Sequence, residues 1–312
     1  MIITVTLNPA VDKTVTLPMF TIGKVNRVAS MRMDPGGKGI NVSKVIRGLG
    51  GRSIAMGILG GSTGEYIKNC LDDMGIEHDF LYVPEPTRTN MKIVDPQLGT
   101  NTDINEAGPF VDEKTVKSVF VKLSARALSG DIVVLAGKLP QGINDGLYAH
   151  WIPQLQNLGA KVYLDVDGQP LRLGAEAKPD LIKPNEEEFS QLIGEKLSGI
   201  DEIGTAALSL INKGIKKVVV SLGSMGILYA RKERWVHAQG LSVPIKSTVG
   251  AGDATMAALA FGHTRGDTPE TWMKFALAAG AASVMCEGTQ AVSLEEVEEL
   301  MTRVKLERMK SI

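Results

Sequence analysis

A glycine-rich segment toward the carboxyl end of the chain, Ser247–Asp253 (STVGAGD), has the composition of an anion-binding turn. Glycine-rich backbone that leads into a helix offers converging N–H donors and a positive dipole end, which together hold an anion such as a nucleotide phosphate. The small residues Ala254–Ala260 predict that helix. Asp253 would repel a phosphate, and its obvious use is to accept a proton from an attacking hydroxyl. The plain alternative is a carboxylate that caps the helix.

A second glycine-rich segment, Asp34–Ser43 (DPGGKGINVS), lies near the amino end. Its glycines let the backbone approach a ligand, and Asn41 is expected to open a helix that faces it. Standard nucleotide and nucleophile motifs are excluded. The three Gly-Lys pairs lack the flanking residues of a Walker A loop, the segment at Gly250 lacks the third glycine of the dinucleotide pattern, and Ser224 lacks the first glycine of a hydrolase elbow.

These segments need a scaffold, and the surrounding pattern predicts an α/β protein. Short β-branched runs, typical of strands buried on both faces of a parallel sheet, alternate with amphipathic stretches of helix length. This alternation indicates a sheet covered by helices. The predicted strands are Ile2–Leu7, Ile132–Leu135, Val162–Leu164, Leu181–Ile182 and Val218–Ser221, and the predicted helices include Asn41–Leu49, Gly64–Met74, Asp112–Leu128, Glu186–Ile193 and Ile200–Lys213.

Two stretches, 13–33 and 88–103, break the alternation of strands and helices. Both show period-two patterning with turn residues, which is typical of half-solvated strands. We expect them to form a small separate sheet beside the main one, as two excursions from a single domain that covers 1–312. No long linker, low-complexity run or fixed-period repeat interrupts the sequence.

The composition excludes several classes of protein. The 34 Lys+Arg residues are balanced by 35 Asp+Glu residues, so the broad basic surface of a non-specific nucleic-acid binder is missing. The longest nearly uncharged apolar segment, Ala276–Cys286, is about half of the ~20 residues that span a bilayer, and it predicts a buried helix rather than a membrane segment. The amino terminus lacks a signal-peptide pattern, so we expect a cytoplasmic protein. Cys70 and Cys286 are expected to be buried thiols.

The two glycine-rich segments resemble the paired signatures of the PfkB carbohydrate kinases, which belong to the ribokinase-like superfamily. Three more motifs follow the family's order and spacing: Thr6–Asp12 (TLNPAVD), Lys183–Glu188 (KPNEEE) and Ser221–Gly226 (SLGSMG). The resemblance runs essentially end to end. It implies a three-layer α/β/α fold with a mainly parallel central sheet and a small β-sheet lid, and a kinase that uses ATP and Mg²⁺.

The resemblance also implies roles for the turn near the carboxyl end. Asp253 corresponds to the general base that takes the proton from a sugar hydroxyl as it attacks the γ-phosphate. Gly250, Ala251 and Gly252 correspond to backbone N–H donors for the charge that develops on the transferred phosphoryl group.

The nucleotide and metal residues are implied in the same way. Glu188, with Asp165 acting through a water molecule, corresponds to the Mg²⁺ site, and hard oxygen ligands suit that ion. Outside this motif a Glu cluster is usually a solvated helix start. Asp167 receives no role. The residues implied for ATP binding are Lys183, Asn185, Ser221, Gly223, Gly226, Thr248 and Cys286.

On the substrate side, Asp12 resembles the aspartate that binds vicinal sugar hydroxyls through charge-assisted hydrogen bonds. Arg88 corresponds to the lid arginine that grips the phosphate of the substrate, a task suited to its bidentate fork. Lys138 stands where the family usually has Ser, and it either adds a cation near that phosphate or points to solvent. The implied sugar-binding loop consists of Gly36, Gly37, Lys38 and Asn41.

Within the family, the chain most resembles the branch that phosphorylates ketohexose phosphates. Asn26, in Lys24–Arg27 (KVNR), replaces an arginine that helps hold fructose 6-phosphate, and a lost charge-assisted contact of this kind is worth ~1.5–3 kcal/mol. The segments Gly36–Val42 and Asp103–Gly108 resemble those of kinases that convert fructose 1-phosphate to fructose 1,6-bisphosphate. Tagatose 6-phosphate and fructose 6-phosphate are the alternative substrates.

Two other functions remain open on this fold. One is a catalytically silent sugar-phosphate sensor, which has no need of Asp253, Gly252 and Glu188 together. The other is a nucleoside or ribose kinase, which has no need of Lys38 and Arg88 to hold a phosphate. We also expect a homodimer formed through the lid, because its strands leave edges that need cover.

Overall fold

The computed structural model describes residues 1–232 and 234–308 and shows two β-sheets. The larger sheet has ten strands in the order β14-β13-β12-β11-β10-β9-β8-β1-β4-β5. The strands from β11 through β5 in this order are parallel to one another, whereas β12, β13 and β14 join antiparallel at one edge. Their bounds are β1 Ile2–Thr6, β4 Ser53–Gly60, β5 Glu77–Val83, β8 Ile132–Ala136, β9 Lys161–Asp165, β10 Leu181–Ile182, β11 Val218–Ser221, β12 Gly226–Arg231, β13 Arg234–Gln239 and β14 Leu306–Arg308.

Ten helices cover the two faces of this sheet within the described residues. Strand residues alternate between two apolar clusters: Ile3 and Val5 pack on one side, whereas Ile2 packs on the other. Each cluster is closed by helices, which gives the expected three-layer α/β/α arrangement. The helices are α1 Lys38–Gly48, α2 Gly61–Asp73, α3 Glu113–Arg126, α4 Leu147–Asn157, α5 Gly168–Glu176, α6 Glu186–Ile193, α7 Ile200–Asn212, α8 Ala251–Thr264, α9 Pro269–Val284 and α10 Leu294–Met301.

The second sheet has four strands in the order β3-β2-β6-β7, and we call it the small sheet. It forms from the two predicted excursions, with β2 parallel to β6 and the other pairs antiparallel. Its own core is small: Val15, Leu17 and Ile93 are buried together. The strands are β2 Ala10–Thr16, β3 Ser30–Gly36, β6 Arg88–Asp95 and β7 Thr100–Asn105.

Most predicted elements are confirmed, but two details were wrong. Asn41 does not open α1, which begins at Lys38 after Gly37, a residue whose φ of 116° lies outside the range that other residues readily adopt. Cys70 and Cys286 are free thiols, yet both are only partly buried. The expected buried helix at Ala276–Cys286 corresponds to the second half of α9, which ends at Val284. No helix in the described part of the chain is long and apolar enough to cross a membrane.

Candidate active site

The predicted site residues gather at the carboxyl ends of the parallel strands. Asp165 ends β9, Lys183 follows β10 directly, and Ser221 ends β11. Open parallel sheets bind ligands at this edge because the loops that leave the strands surround a crevice. The helices α1 and α8 bring the two glycine-rich segments to the same edge, where Asn41 of the first meets Asp253 of the second.

Asp253 lies in the first turn of α8 and is 8% exposed. Asn41 Nδ2 donates a hydrogen bond of 2.8 Å to its Oδ2 atom. Burial, followed by the nearby negative charge of Asp165, raises the pKa of Asp253 to about 6. Gly250, not Asp253, is the N-cap residue of α8, so the plain capping explanation does not account for this carboxylate. A buried carboxylate that is still ionised near neutral pH is suited to accept a proton.

Two lysines hold Asp165, which is 1% exposed. Lys38 Nζ lies 3.3 Å from Oδ1 and Lys183 Nζ lies 3.2 Å from Oδ2. Burial opposes the ionisation of Asp165, but the two ammonium groups outweigh it and lower its pKa. Asp165 in turn raises the pKa of Lys38. The triad therefore places two fixed positive charges beside Asp253, where an incoming phosphate would need them.

The turn before α8 has the geometry of an anion site. Gly250 has a φ of +87°, a left-handed conformation that glycine adopts without strain. The first N–H groups of a helix have no partners within the helix, so those of residues 251–253 are available to a ligand. A Cβ atom placed on Gly252 would lie 3.1 Å from Lys183 Nζ, so the ammonium group sits directly against this turn. Backbone N–H donors and the buried ammonium group of Lys183 therefore lie together at this turn, as in an anion-binding site.

The sugar side is built around Asp12 on β2. Its neighbour on β6 is Asn90, whose Nδ2 atom donates a hydrogen bond of 3.0 Å to Asp12 Oδ1. A Cβ atom on Gly36 would stand 2.0 Å from Asp12 Oδ2, so only glycine fits there. Burial raises the pKa of Asp12, against the hydrogen bond from Asn90. The Oδ1 atom of Asn90 is buried without a hydrogen-bond partner among the described residues, which leaves an acceptor for a ligand hydroxyl.

Gly37 completes the loop that brings α1 against β1. A Cβ atom on Gly37 would lie 2.7 Å from Thr6 Cγ2, and one on Gly39 would lie 2.5 Å from Thr6 Oγ1. This close approach fixes the start of α1 and directs Lys38 toward Asp165 and Asn41 toward Asp253.

Arg88 begins β6 and is half-buried. Its guanidinium donates to three backbone carbonyls: Nη1 to Glu106 at 2.9 Å, Nη2 to Asn8 at 3.2 Å and Nε to Pro9 at 3.3 Å. Burial lowers its pKa, with Asp12 and Glu106 opposing the change. An arginine has five N–H donors, so two remain for a phosphate once these three bonds are made.

Asn185 and Glu188 form a capping box at the start of α6. Asn185 Oδ1 accepts from the Glu188 N–H at 2.8 Å, and Glu188 Oε2 accepts from the Asn185 N–H at 2.9 Å. The pair thus has a structural role of its own. The second carboxylate oxygen of Glu188 makes no hydrogen bond within the described residues, and the negative charge of Glu188 is felt at Lys38. One hard oxygen is therefore available at the edge of the site.

The residues predicted to surround the nucleotide lie at the start of α6, at the end of β11 and in the turn that follows it, before α8 and after α9. Ser221 Oγ is buried with no hydrogen-bond partner among the described residues, which is typical of an atom that a ligand completes. Gly223 and Gly226 bracket a 3₁₀ turn and both have positive φ. Thr248 is exposed, and Cys286 is half-buried with Sγ donating to the Ala282 carbonyl at 3.6 Å.

Two side chains named above make no hydrogen bond with this cluster within the described residues. Lys138 is exposed, although the preceding Gly137 lies against Lys38. Asn26 is used by its own loop: it accepts from the Thr21 N–H at 2.9 Å and donates to the Thr21 and Lys24 carbonyls. Asp167, which received no role, precedes α5 at its N-cap position.

Lys44 is a site residue that the sequence analysis missed. It is 5% exposed, and its Nζ atom donates to the Pro35 carbonyl at 3.1 Å, to Thr289 Oγ1 at 3.0 Å and to Asn41 Oδ1 at 3.5 Å. Burial lowers its pKa, although Asp34 and Asp12 oppose the change. The signal was a charged residue on the buried face of a predicted helix, three positions after Asn41.

Arg32 on β3 was also missed. It donates to Asp34 at 2.8 Å and to Glu287 at 3.4 Å. Because Glu287 adjoins Cys286, this contact ties the small sheet to the side predicted for the nucleotide. Nothing in the local sequence around Arg32 indicates a partner 255 positions away.

Comparison with known proteins places these features in a family. Residues 5–296 match the family described as "pfkB family carbohydrate kinase". A 1-phosphofructokinase of Vibrio cholerae is 35% identical over 98% of this chain and 96% of its own length. A tagatose-6-phosphate kinase of Staphylococcus epidermidis is 32% identical over 98% of this chain and 99% of its own. The solved phosphofructokinase-2 of Escherichia coli in complex with substrates and products has a TM-score of 0.92 at 29% identity, covering 97% of this chain and 98% of that one. The chain therefore belongs to the pfkB family of carbohydrate kinases.

Proposed function

We propose that the protein transfers the γ-phosphoryl group of ATP to a ketohexose phosphate, with fructose 1-phosphate as substrate and fructose 1,6-bisphosphate as product. The observation that carries this proposal is the buried carboxylate of Asp253 in the first turn of α8. It accepts a hydrogen bond from Asn41, and Lys183 lies against the same turn. Phosphoryl transfer requires a proton acceptor, backbone donors for the phosphoryl oxygens and a positive charge, and this site brings all three together. The 1-phosphofructokinases among the relatives support the choice of sugar.

In this proposal the free hydroxymethyl group of the sugar lies against Asp253. The carboxylate takes the hydroxyl proton while the hydroxyl oxygen forms a bond to the γ-phosphorus, and the bond from that phosphorus to the ADP oxygen breaks. The N–H groups of Gly250, Ala251 and Gly252, together with Lys183, stabilise the charge that develops on the phosphoryl oxygens. The two available N–H donors of Arg88 are proposed to hold the phosphate already on the sugar.

Mg²⁺ is proposed to bind at the Glu188 side of the site. The available oxygen of Glu188 fits this ion, which is often held by one or two protein carboxylates together with substrate phosphates. Asp165 is paired with two lysines, and we propose that it acts on the ion through water. The ion would neutralise charge on the nucleotide phosphates. The nucleotide itself is proposed to contact Asn185, Ser221, Gly223, Gly226, Thr248 and Cys286.

The choice among sugars depends on the small sheet. Asn26 makes its hydrogen bonds inside its own loop and carries no charge, so it contributes no cation to a 6-phosphate site. Tagatose 6-phosphate is the second candidate substrate, because tagatose-6-phosphate kinases are among the relatives.

The small sheet is also the proposed contact between two copies of the chain. The loop between β2 and β3 exposes apolar side chains, with Ile22 90% and Val25 81% exposed. Such a surface is typical of an interface. Val28, Met31 and Ile104 extend it. Light scattering at micromolar concentration tests the dimer, and a clean monomer would exclude it. The cytoplasmic location also stays a prediction.

A coupled assay of ADP release with Mg²⁺ and ATP tests the proposed function. The ratio kcat/KM is compared for fructose 1-phosphate, fructose 6-phosphate and tagatose 6-phosphate, with unphosphorylated ribose as a control. We expect a strong preference for fructose 1-phosphate. Preference for a 6-phosphate would overturn the choice of sugar and leave the chemistry intact. Turnover of ribose alone would indicate a ribose kinase, and no turnover of any sugar would favour the sensor.

A further inference from the structure

The end of α8 that is remote from Asp253 carries a second cluster of polar side chains. His263, one residue before the end of this helix, contacts three of them. Lys161 Nζ lies 2.7 Å from its Nε2 atom, and Tyr163 OH and Lys217 Nζ lie 2.5 Å and 3.3 Å from its Nδ1 atom. His263 follows Asp253 by ten positions in the same helix, a distance of about 15 Å along its axis. The cluster is therefore distinct from the active site.

The topology of the sheet explains why these side chains meet. Lys161 begins β9 and Lys217 directly precedes β11, and the two parallel strands flank β10. Both lysines therefore stand at the amino edge of the sheet, opposite to the edge that holds Asp165. The Lys217 ammonium group also lies over the rings of Trp272 and Tyr163, at 5.1 Å and 5.8 Å from their centroids.

The cluster has more positive than negative charge. Within the described residues, no carboxylate lies within ion-pair distance of Lys161 or Lys217. The nearby Asp180 is already occupied: it accepts from Lys216 Nζ at 2.7 Å, from the Val162 N–H at 2.9 Å and from Gln156 at 3.1 Å.

This surplus of charge affects the titration of the cluster. Burial, and then the neighbouring lysines, lowers the pKa of His263 to about 4, so the imidazole is neutral at pH 7. Burial also lowers the pKa of Lys217 to about 8, with Asp180 opposing and Lys161 among the like charges that add to the effect. Half-buried cations that repel one another bind an anion readily, because the anion relieves both the repulsion and the loss of hydration.

We propose that Lys161, Lys217, Tyr163 and His263 form a second binding site, specific for a phosphoryl group, either as inorganic phosphate or as a phosphate monoester. The two ammonium groups balance the charge of a phosphate dianion. Each ammonium group has three N–H donors and gives at most one of them to the His263 ring, so the others are available to the phosphate oxygens. The Tyr163 hydroxyl contacts His263 Nδ1 and holds the ring between the two lysines. The site does not depend on the proposed kinase activity, since it shares no residue with the active site.

The imidazole of His263 provides a local readout of this site. The ring signals of the four histidines are followed by ¹H–¹⁵N NMR while inorganic phosphate is added, with chloride at equal ionic strength as the reference titration and a His263→Gln variant for assignment. We expect the His263 signal to move with saturation at about 1 mM, and to move toward the protonated form because a bound anion raises the pKa of this ring. A parallel titration with glycerol 3-phosphate shows whether a monoester also binds.

Variants separate this site from the active site. Lys161→Met and Lys217→Met are each expected to weaken the phosphate titration at least about tenfold, which corresponds to about 1.4 kcal/mol. Lys213→Met, which removes an exposed lysine at the end of α7, is the matched control and is expected to leave it unchanged. Lys38→Met, in the active site, is also expected to leave it unchanged. A wild-type His263 signal that responds equally to chloride and phosphate, or that responds only when Lys38 is intact, would overturn the proposal.

Discussion

Asn41 and Asp253, separated by 212 positions in the sequence, are joined by a hydrogen bond of 2.8 Å inside the protein. The bond links helix α1, which carries the sugar loop, to helix α8, which carries the anion turn. It also stabilises the ionised form of a carboxylate that burial would otherwise protonate. The same hydrogen bond therefore positions the sugar loop relative to Asp253 and sets the protonation of its carboxylate.

The pH dependence of turnover should report this carboxylate. Because the pKa of Asp253 is raised to about 6, protonation removes the proton acceptor as the pH falls through that value. We expect kcat to be constant above this region and to fall about tenfold for each pH unit below it. The measurement is kcat across pH 4.5 to 8 at saturating substrates, in buffers of about constant ionic strength.

The fall of kcat at low pH is the acidic limb of the pH profile. The variant Asn41→Ala tests whether the titration of Asp253 causes this limb. Loss of the hydrogen bond removes an interaction that lowers the pKa of Asp253, so the acidic limb should move to higher pH. Asn101→Ala, at an exposed position on β7, is the matched control and should leave the limb in place. An unmoved limb in Asn41→Ala would assign the titration to another group.

The stability of the fold should show the cost of burying Asp253. Its pKa is higher in the folded than in the unfolded chain, so the folded state binds the proton more tightly and is favoured at low pH. This contribution is lost as the pH rises from about 4 to about 6. Asp253→Asn abolishes the charge, and we expect its free energy of unfolding at pH 7 to exceed that of the wild type by about 1–3 kcal/mol.

Urea denaturation of both proteins at pH 7 and pH 4 measures this difference. The gain from Asp253→Asn should shrink at pH 4, where the wild-type carboxylate is protonated. A variant that is less stable than the wild type at both pH values would show that the negative charge contributes to the fold instead.

Lys44 should matter to both turnover and stability. Lys44→Met keeps the aliphatic stem but removes the donors that join Pro35, Asn41 and Thr289. The change relieves the cost of burying a charge but leaves buried acceptors without a donor, so we expect a loss of stability of about 1–3 kcal/mol. We expect kcat to fall about tenfold because the sugar loop loses its tie to the region of Thr289 beside Gly250. Steady-state kinetics and thermal unfolding measure the two effects.

Lys117→Met, at an exposed lysine of α3, is the control for Lys44→Met. It should change neither kcat nor the unfolding temperature. An unaltered kcat in Lys44→Met would show that Lys44 contributes to the packing of the fold and not to turnover.

The anion turn offers a matched pair of glycines. Gly250 and Gly130 both have a φ of +87°, so a change to Ala imposes the same backbone strain of about 1–2 kcal/mol at each position. A Cβ atom on Gly130 would lie in open space, whereas Gly250 is the N-cap of α8, three residues before Asp253. We expect both variants to lose similar stability and only Gly250→Ala to lose turnover, by at least about tenfold. Equal activity of the two variants would contradict a role of this turn in catalysis.

The sequence predicted five of the seven parallel strands of the main sheet, because buried parallel strands and amphipathic helices have distinct periodicities. It missed β4 and β5, in which glycine or charged residues interrupt the β-branched pattern. The antiparallel edge of β12, β13 and β14 was missed, since short apolar runs beside glycines do not distinguish a strand from a turn. The two glycine-rich segments that the sequence analysis singled out meet in the structure through the hydrogen bond between Asn41 and Asp253.

Contacts between residues far apart in the sequence could not be predicted from the sequence. The contacts of Lys44 with Thr289 and of Arg32 with Glu287 join segments about 250 positions apart, and the local sequence carries no sign of them. The three carbonyl contacts of Arg88 likewise depend on how the small sheet packs, not on the residue type.

The central claim is that Asp253 is the general base, and the most direct measurement is the single-turnover rate of phosphoryl transfer in Asp253→Asn with saturating Mg²⁺, ATP and fructose 1-phosphate. Binding of ATP is measured on the same sample by calorimetry. The account predicts a folded variant that binds ATP with unchanged affinity and transfers the phosphoryl group ~10²–10⁴ times more slowly than the wild type. A rate within a few fold of the wild type would contradict it.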